Sequence, residues 1–362
     1  MKSKRILRRF RAEPTPPLPM QVRKPQHLRL VTFNMQWGTP AEGWHQAQPS
    51  PSPFHAFWYG LLERMGSTRG SDSINERTTL TEGNLRQTAK ILKRHRPDIL
   101  CLQEVDKGQR RSGYTSQAQL LAHAIGLPYW RIGASYSGQS QVLHRRPLHP
   151  TLNSESGYGV AILSRWPVKS WHFKRLGRMR VRLDWGSESW RGFSHGLISG
   201  MQDIIPSLRG TRLKFGQMRV IQAARILSPF GVLAIGNIHL EIHRPVALSQ
   251  LRRAWRSVLD LNHDSCLLVG DYNLRDYHIQ RSLQVLPDDM QPQLHAHIAS
   301  YPANDPKLPL DQLLANGWKL ARKPRGLRLP ISDHAAVIYD LVPAPSESTA
   351  KPKTKTGATQ RG

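Results

Sequence analysis

Cysteine is nearly missing from this chain: of 362 residues only Cys101 and Cys266 carry a thiol. No disulfide framework is available, and the scarcity fits a reducing cytoplasm. Both cysteines sit inside apolar runs, where a free thiol serves as a small buried hydrophobe. Long hydrophobic runs are missing too. No uninterrupted apolar stretch reaches the ~18 residues of a membrane-spanning helix. The basic N-terminus, Met1–Arg11, leads into the proline-rich Ala12–Pro19 and not into an apolar segment, so no secretory signal is read there. No internal repeat is visible. Acidic residues are scarce as well, 25 against 52 Lys and Arg, which leaves a formal net charge of +27. That excess suits a polyanionic partner, whether nucleic acid, an anionic membrane surface or a phosphorylated small molecule; a merely solvated basic surface is the plain alternative.

What is present is enough for a sizeable core, since 39% of the residues are hydrophobic, and an α/β chain of this length can form one domain. Residues 1–27 read as a flexible arm, basic first and then rich in proline. Leu28–Met35 is a strand that closes on Asn34. Residues 36–80 form a long connection in which Trp37, Trp44, Phe54, Phe57, Trp58 and Tyr59 lie among prolines and serines; such loops are lids, binding loops or satellite hydrophobic clusters. Asn84–Arg96 has helical spacing, with Leu85, Ala89 and Leu92 on one face, and Pro97 stops it. Asp98–Glu104 is a buried strand, residues 116–126 a helix, and Tyr158–Ser164 and Arg219–Leu227 strands. The intervening 169–217 segment interleaves Arg175, Arg178, Arg180, Arg182 and Arg191 with Trp185 and Trp190, a composition that suits phosphates and rings together. Gly231–Leu240 is a strand, Pro245–Asn262 an amphipathic helix, and Leu310–Leu314 and Ala335–Leu341 are the last strands before a disordered basic tail at 343–362. Strands alternating with helices give a layered α/β class.

The chemistry centres on Leu267–Leu274, Leu-Leu-Val-Gly-Asp-Tyr-Asn-Leu. Gly270 permits a sharp turn, and in an extended chain Asp271 and Asn273 share a face. One can orient or deprotonate a water and the other can hold an anionic oxygen, although both types also follow strands as plain turn formers. Other apolar runs end in Asn34, Glu104 and His239, or border Asp311 and the pair Asp333–His334. Singly, His239 reads as a satisfied core histidine, Glu104 as an ordinary ion-pair partner and Asp333–His334 as a turn. Jointly they describe a cleft along one edge of packed sheets.

Thr32-Phe33-Asn34, Leu102-Gln103-Glu104-Val105, Asn237-Ile238-His239-Leu240, Gly270-Asp271-Tyr272-Asn273 and Ser332-Asp333-His334, in that order, resemble the signature blocks of the endonuclease/exonuclease/phosphatase superfamily over about residues 28–342. The further match of Asp106, Arg111-Ser112-Gly113-Tyr114, Gln117, Tyr158-Gly159 and Ala161-Ile162-Leu163-Ser164-Arg165 is most similar to bacterial metal-dependent hydrolases of the sphingomyelinase-like branch. The resemblance implies a four-layer α/β sandwich, with two mostly antiparallel sheets face to face and helices outside. It also implies hydrolysis of phosphoester bonds with Mg²⁺, Mn²⁺ being the alternative. Asn34 and Glu104 offer hard oxygens to such an ion, and the resemblance places Asp333 beside it. Asp271 would position the attacking water, and Asn273 and His239 would bind non-bridging oxygens. A protonated His334 would hold negative charge. The resemblance makes Asp311 its orienting carboxylate, although Leu-Asp-Gln-Leu-Leu departs from the usual context. Arg219 falls at a phosphate-binding position of related nucleases.

The expectation is therefore a cytoplasmic Mg²⁺-dependent phosphodiesterase or phosphatase with a polyanionic substrate. The net charge tilts the choice towards nucleic acid, and the branch resemblance favours a phospholipid, sphingomyelin or a small phosphorylated molecule. A non-catalytic polyanion-binding module on the same fold, and peripheral membrane contact through the aromatics at 44–59, are the other readings. Oligomeric state is not set by the sequence.

Overall fold

The central strands are apolar on successive residues and buried along both faces, and the architecture follows from how each face is covered. The computed structural model describes residues 25–41, 71–139, 156–178, 182–185, 211–214 and 218–345. Most of the basic arm and of the C-terminal tail, and the aromatic stretch 44–59, lie outside the described residues.

In chain order the strands are β1 (Leu28–Asn34), β2 (Ile99–Lys107), β3 (Tyr129–Ser137), β4 (Gly157–Ser164), β5 (Val168–Gly177), β6 (Arg182–Trp185), β7 (Thr211–Lys214) and β8 (Arg219–Ser228). They continue as β9 (Gly231–His239), β10 (Cys266–Asp271), β11 (Leu294–His297), β12 (Asp311–Asn316), β13 (Trp318–Leu320), β14 (Arg325–Leu327) and β15 (Ala336–Pro343). The longer helices are α1 (Ser71–Arg94), α2 (Gln117–Ile125), α3 (Arg244–Leu259) and α4 (Asp276–Leu283). One sheet runs β13-β15-β1-β2-β4-β3, with β14 also on β15; the other runs β11-β12-β10-β9-β8-β5, and β6 pairs with β7. The β1–β2 and β9–β10 pairs are parallel; the other pairs within these sheets are antiparallel.

The period-2 pattern sorts the residues into three cores. Leu30, Ile99 and Cys101 face Ile235, Leu267 and Val269 between the sheets. Val31, Phe33, Leu100 and Leu102 face Leu85, Ala89 and Leu92 of α1 and Leu121 of α2. Ile238 and Leu268 face Leu251, Trp255 and Val258 of α3 and Ile279 of α4. The order is helix, sheet, sheet, helix: a four-layer α/β sandwich. Both cysteines are free and buried. Among the described residues no helix is long and apolar enough to cross a membrane.

Some elements differ from expectation. The helix read from Asn84 begins at Ser71, because residues 71–83 are mostly polar and show no apolar period. Within the 169–217 segment, β5 pairs along β8. It is an edge strand whose side chains are largely exposed or half-buried, so alternation gave no signal. Strands β3 and β11 and helix α4 were not anticipated for the same reason: their patterns are half polar.

Polar residues bolt the sheets together. Gln103 of β2 donates from Nε2 to Asn237 Oδ1 on β9 (2.7 Å) and to Thr32 Oγ1 (3.0 Å). Asn237 Nδ2 returns bonds to the carbonyls of Leu102 and Ala161, both at 2.8 Å. Asn237→Leu, similar in size but without donors, leaves these buried groups unpaired. It is expected to lower stability by about 3 kcal/mol, read as a lower urea midpoint at unchanged m-value. A loss below about 1 kcal/mol would show that the amides do not carry the joint.

Candidate active site

Strand direction gathers the polar ends at one edge. Because β1 and β2 are parallel, Asn34 lies opposite Gln103, next to Glu104. Asp271 lies opposite His239 on the parallel β9 and opposite Asp311 on the antiparallel β12. The antiparallel β15 starts where β1 ends, which brings in His334. Ser332 ties the two: its Oγ donates to Asn34 O (2.6 Å) and accepts His334 N–H (3.0 Å).

Local backbone irregularities aim these side chains. The β2–β4 register shifts between Leu102 and Val105, a bulge that redirects Glu104. Glu104 has φ 52°, and Gln36 (44°), Trp37 (46°), Asn273 (49°) and Ser332 (77°) are also left-handed. Each costs on the order of 1–3 kcal/mol, and all lie in or beside this edge. Gly270 has φ 142°, and a Cβ there would meet the Ile238 carbonyl oxygen at 2.0 Å, so no side chain fits that turn.

Contacts then link the group. Asn34 Nδ2 donates to Asp271 Oδ2 (2.9 Å) and Glu104 Oε1 (3.3 Å), while its Oδ1 accepts Gln36 N–H (3.1 Å). His239 Nε2 is 3.6 Å from Asp271 Oδ2 and 3.9 Å from Glu104 Oε1. Arg219 Nη1 meets His239 Nδ1 at 3.0 Å. His334 Nδ1 is 2.8 Å from Asp311 Oδ2, and its Nε2 is 3.9 Å from Asp271 Oδ2.

The two histidines differ in charge. Burial, with the charges of Arg219 and His334, holds His239 well below the ordinary histidine value, so it is neutral. Burial opposes charge on His334 too, but Asp311, Asp271 and Asp333 outweigh it and raise the imidazole to about 10. Burial pushes the Asp271 carboxyl up to about 6, with Asp311 adding to the rise and His334, Asn34 and the Asn273 N–H opposing it.

Of the residues expected to share a site, Asn34, Glu104, Arg219, His239, Asp271, Asp311 and His334 are joined by these contacts. Asn273 is near for a different reason from the one anticipated. The strand ends at Asp271, so the shared-face argument does not apply; Asn273 N–H turns back to Asp271 Oδ1 (2.9 Å) and its Nδ2 holds Leu240 O (3.0 Å). Asn34 presents its amide nitrogen, not its oxygen, to Glu104. Asp333 is half-buried on the His334 side, with its N–H on Gln36 Oε1 (3.2 Å), and burial raises its carboxyl. Sequence reasoning missed Ser300, whose Oγ donates to Asp311 Oδ2 (2.7 Å). It also missed Tyr301, whose ring lies 5.0 Å from that of His334. Both sit in a loop without periodicity, where no local signal marks them.

The sequence matches the endonuclease/exonuclease/phosphatase family over residues 31–334. The chain belongs to that family. No sequence match to a curated protein is found. Similar solved structures include an endonuclease/exonuclease/phosphatase from Beutenbergia cavernae DSM 12333, 14% identical over 88% of this chain and 72% of that one, TM-score 0.48. Another is a mannosyl-6-phosphatase from Bacteroides thetaiotaomicron VPI-5482, 15% identical over 87% and 99%, TM-score 0.48. A third is TDP2 from C. elegans, 16% identical over 88% and 76%, TM-score 0.47. Members of the endonuclease/exonuclease/phosphatase family hydrolyse phosphoester bonds, generally with a divalent metal, and this chain is a phosphoric ester hydrolase of that family.

The residues fit such an ion in one respect. Among the described residues Glu104 Oε2 is buried without a hydrogen-bond partner, and burial pushes this carboxyl up to about 7 against the pull of Arg219, Asn34 and His334. A cation beside it would restore its charge. Among the described residues no three or more His, Cys, Asp or Glu side chains are placed to hold a metal together.

The His334–Asp311 pair makes a pH prediction. His334 stays protonated up to about 10, so activity that needs the imidazolium should fall only above that pH. Asp311 raises the imidazole, so Asp311→Asn should move this alkaline limb of kcat/KM downward. A limb that stays in place would show that Asp311 does not set the charge of His334.

Proposed function

We propose that this hydrolase is an Mg²⁺-dependent phosphodiesterase acting on nucleic acid in the cytoplasm. The observation that carries the reading is the contrast around Asp271: a buried carboxylate between a neutral imidazole, His239, and an imidazolium, His334, with the unpartnered oxygen of Glu104 beside them. A buried carboxylate of this kind can orient and deprotonate water. His239 Nε2–H donates to a non-bridging phosphoryl oxygen, and His334 stabilises charge as it develops. Asn273 holds the Asp271 and His239 loops together and can take a second phosphoryl oxygen. Glu104 holds the ion, with Asn34 fixing Glu104 and Asp271 relative to each other; Asp333 is the further ligand that the family resemblance implies. Bound there, Mg²⁺, or Mn²⁺ in its place, supplies Lewis acidity towards the phosphoryl group.

The preference for nucleic acid rests on the net charge of +27 and on the interleaved arginines and tryptophans of residues 169–217; most of that segment lies outside the described residues. The motif likeness to the sphingomyelinase-like branch supports the second reading, a phospholipid or small-molecule phosphoester.

The test assays the purified chain with Mg²⁺ or Mn²⁺ on plasmid DNA, single-stranded RNA, sphingomyelin vesicles, an inositol phosphate and bis-p-nitrophenyl phosphate. Nucleic acid should be cleaved fastest. EDTA should abolish turnover, and Glu104→Ala, Asp271→Ala and His334→Ala should each lower kcat/KM by about 10³-fold. Faster turnover of the lipid or the small phosphoester would overturn the substrate assignment. Activity surviving all three substitutions would overturn the site.

A further inference from the structure

Beside the reacting centre lies a second layer of buried charge that the mechanism above leaves unused. Arg219, at the start of β8, and Glu241, just past the end of β9, are 8% and 6% exposed. Arg219 Nη2 and Glu241 Oε1 are 4.0 Å apart. Among the described residues neither Arg219 Nε nor Glu241 Oε2 has a hydrogen-bond partner, and the charge of Arg219 also acts on Glu104.

We infer that Arg219 and Glu241 are a positioning pair that holds His239 as a neutral imidazole with its proton on Nε2, and that Arg219 is not a phosphate clamp. The inference rests on the phosphodiesterase reading only for what the Nε2 proton does.

The donor inventory supplies the argument. A guanidinium carries only N–H donors. At 3.0 Å from Arg219 Nη1, His239 Nδ1 must therefore be the acceptor and carries no proton. The proton of the neutral ring then sits on Nε2, the nitrogen that faces Asp271 and Glu104.

The pair is itself anchored. Glu241 Oε1 accepts the N–H of Ile242 (3.0 Å), and Gln250 Oε1 on α3 accepts the N–H of Glu241 (2.9 Å). Gln250 Nε2 reaches Gly177 O (3.1 Å), and Gly177 lies opposite Arg219 on the neighbouring strand. The contacts close a ring from Arg219 through Glu241, Gln250 and Gly177 back to Arg219, and His239 hangs from it by the bond to Arg219 Nη1. Arg219 is enclosed, opposed by a carboxylate, and already spends a donor on His239.

The test has a readout that needs no substrate. In the full chain labelled with ¹⁵N-histidine, long-range ¹H–¹⁵N correlation should show His239 with Nε2 protonated and Nδ1 bare at neutral pH. Arg219→Lys keeps a donor and should preserve that pattern; Arg219→Leu should lose it, with a proton arriving on Nδ1. A wild-type His239 protonated on Nδ1, alone or as the imidazolium, would overturn the inference, whatever the enzyme cleaves. If Arg219→Leu fails to fold, the wild-type and Arg219→Lys spectra decide.

Kinetics on bis-p-nitrophenyl phosphate separate the two roles of the arginine. Positioning predicts that Arg219→Leu lowers kcat by about 100-fold and changes KM by less than about threefold. Glu241→Gln should lower kcat by about tenfold, with partial loss of the Nε2–H signal. A rise in KM at unchanged kcat would identify a binding contact and overturn the positioning role. Absence of turnover in the wild type would sink the phosphodiesterase reading and leave the tautomer result standing.

Discussion

Two amides, Gln103 and Asn237, face each other across the gap between the sheets, directly beneath the cleft. Gln103 donates to Asn237 and to Thr32 on its own sheet, and Asn237 donates to the Leu102 and Ala161 carbonyls of the opposite sheet. Glu104 is the next residue after Gln103, and His239 lies two positions beyond Asn237. The amide pair therefore sets how the carboxylate from one sheet meets the imidazole from the other. An apolar pair of similar volume could hold the sheets at the same distance but not in one register, because dispersion has no direction and a hydrogen bond does.

Above that joint, opposite charge states are imposed on two chemically identical side chains. His334 has a carboxylate at its Nδ1 and becomes a cation; His239 has a guanidinium at its Nδ1 and stays neutral. The carboxylate of Asp271 lies between them. Neither imidazole is in the open, so solvent does little to level the difference, and the environment decides which ring is an acid and which a plain donor. The arrangement places the chain's chemistry in its neighbours as much as in the reacting groups.

Much of this was legible in the sequence. Asn34, Glu104, His239 and Asp271 close apolar runs and His334 opens one, and a polar residue at the end of a buried strand is conspicuous. Apolar periodicity exposed those runs and, with helices between them, gave the layered α/β class; the four-layer sandwich came from the family resemblance. Periodicity failed where burial is one-sided: β5 lies at a sheet edge, and the first half of α1 is polar. It failed again where function rides on loops. Ser300 and Tyr301 are far from any periodic segment, and Glu241 sits just past a strand, where a carboxylate looks like solvent-facing turn chemistry. Asn273 shows a subtler limit. It was picked out by assuming that the strand continues, whereas the chain turns left-handed there and reaches the same neighbourhood through an Asx-type bond.

The cleft draws residues from both sheets, and the sheets touch each other through side chains such as Leu30, Cys101, Ile235 and Val269. The separation between Glu104 on one layer and Asp271 on the other is therefore a thickness, fixed by the summed volumes of aliphatic groups well below the solvent. Chemistry at the rim inherits its tolerances from that filling. One methylene more or less in the middle of the sandwich is a change in catalytic spacing, made without touching a single polar atom.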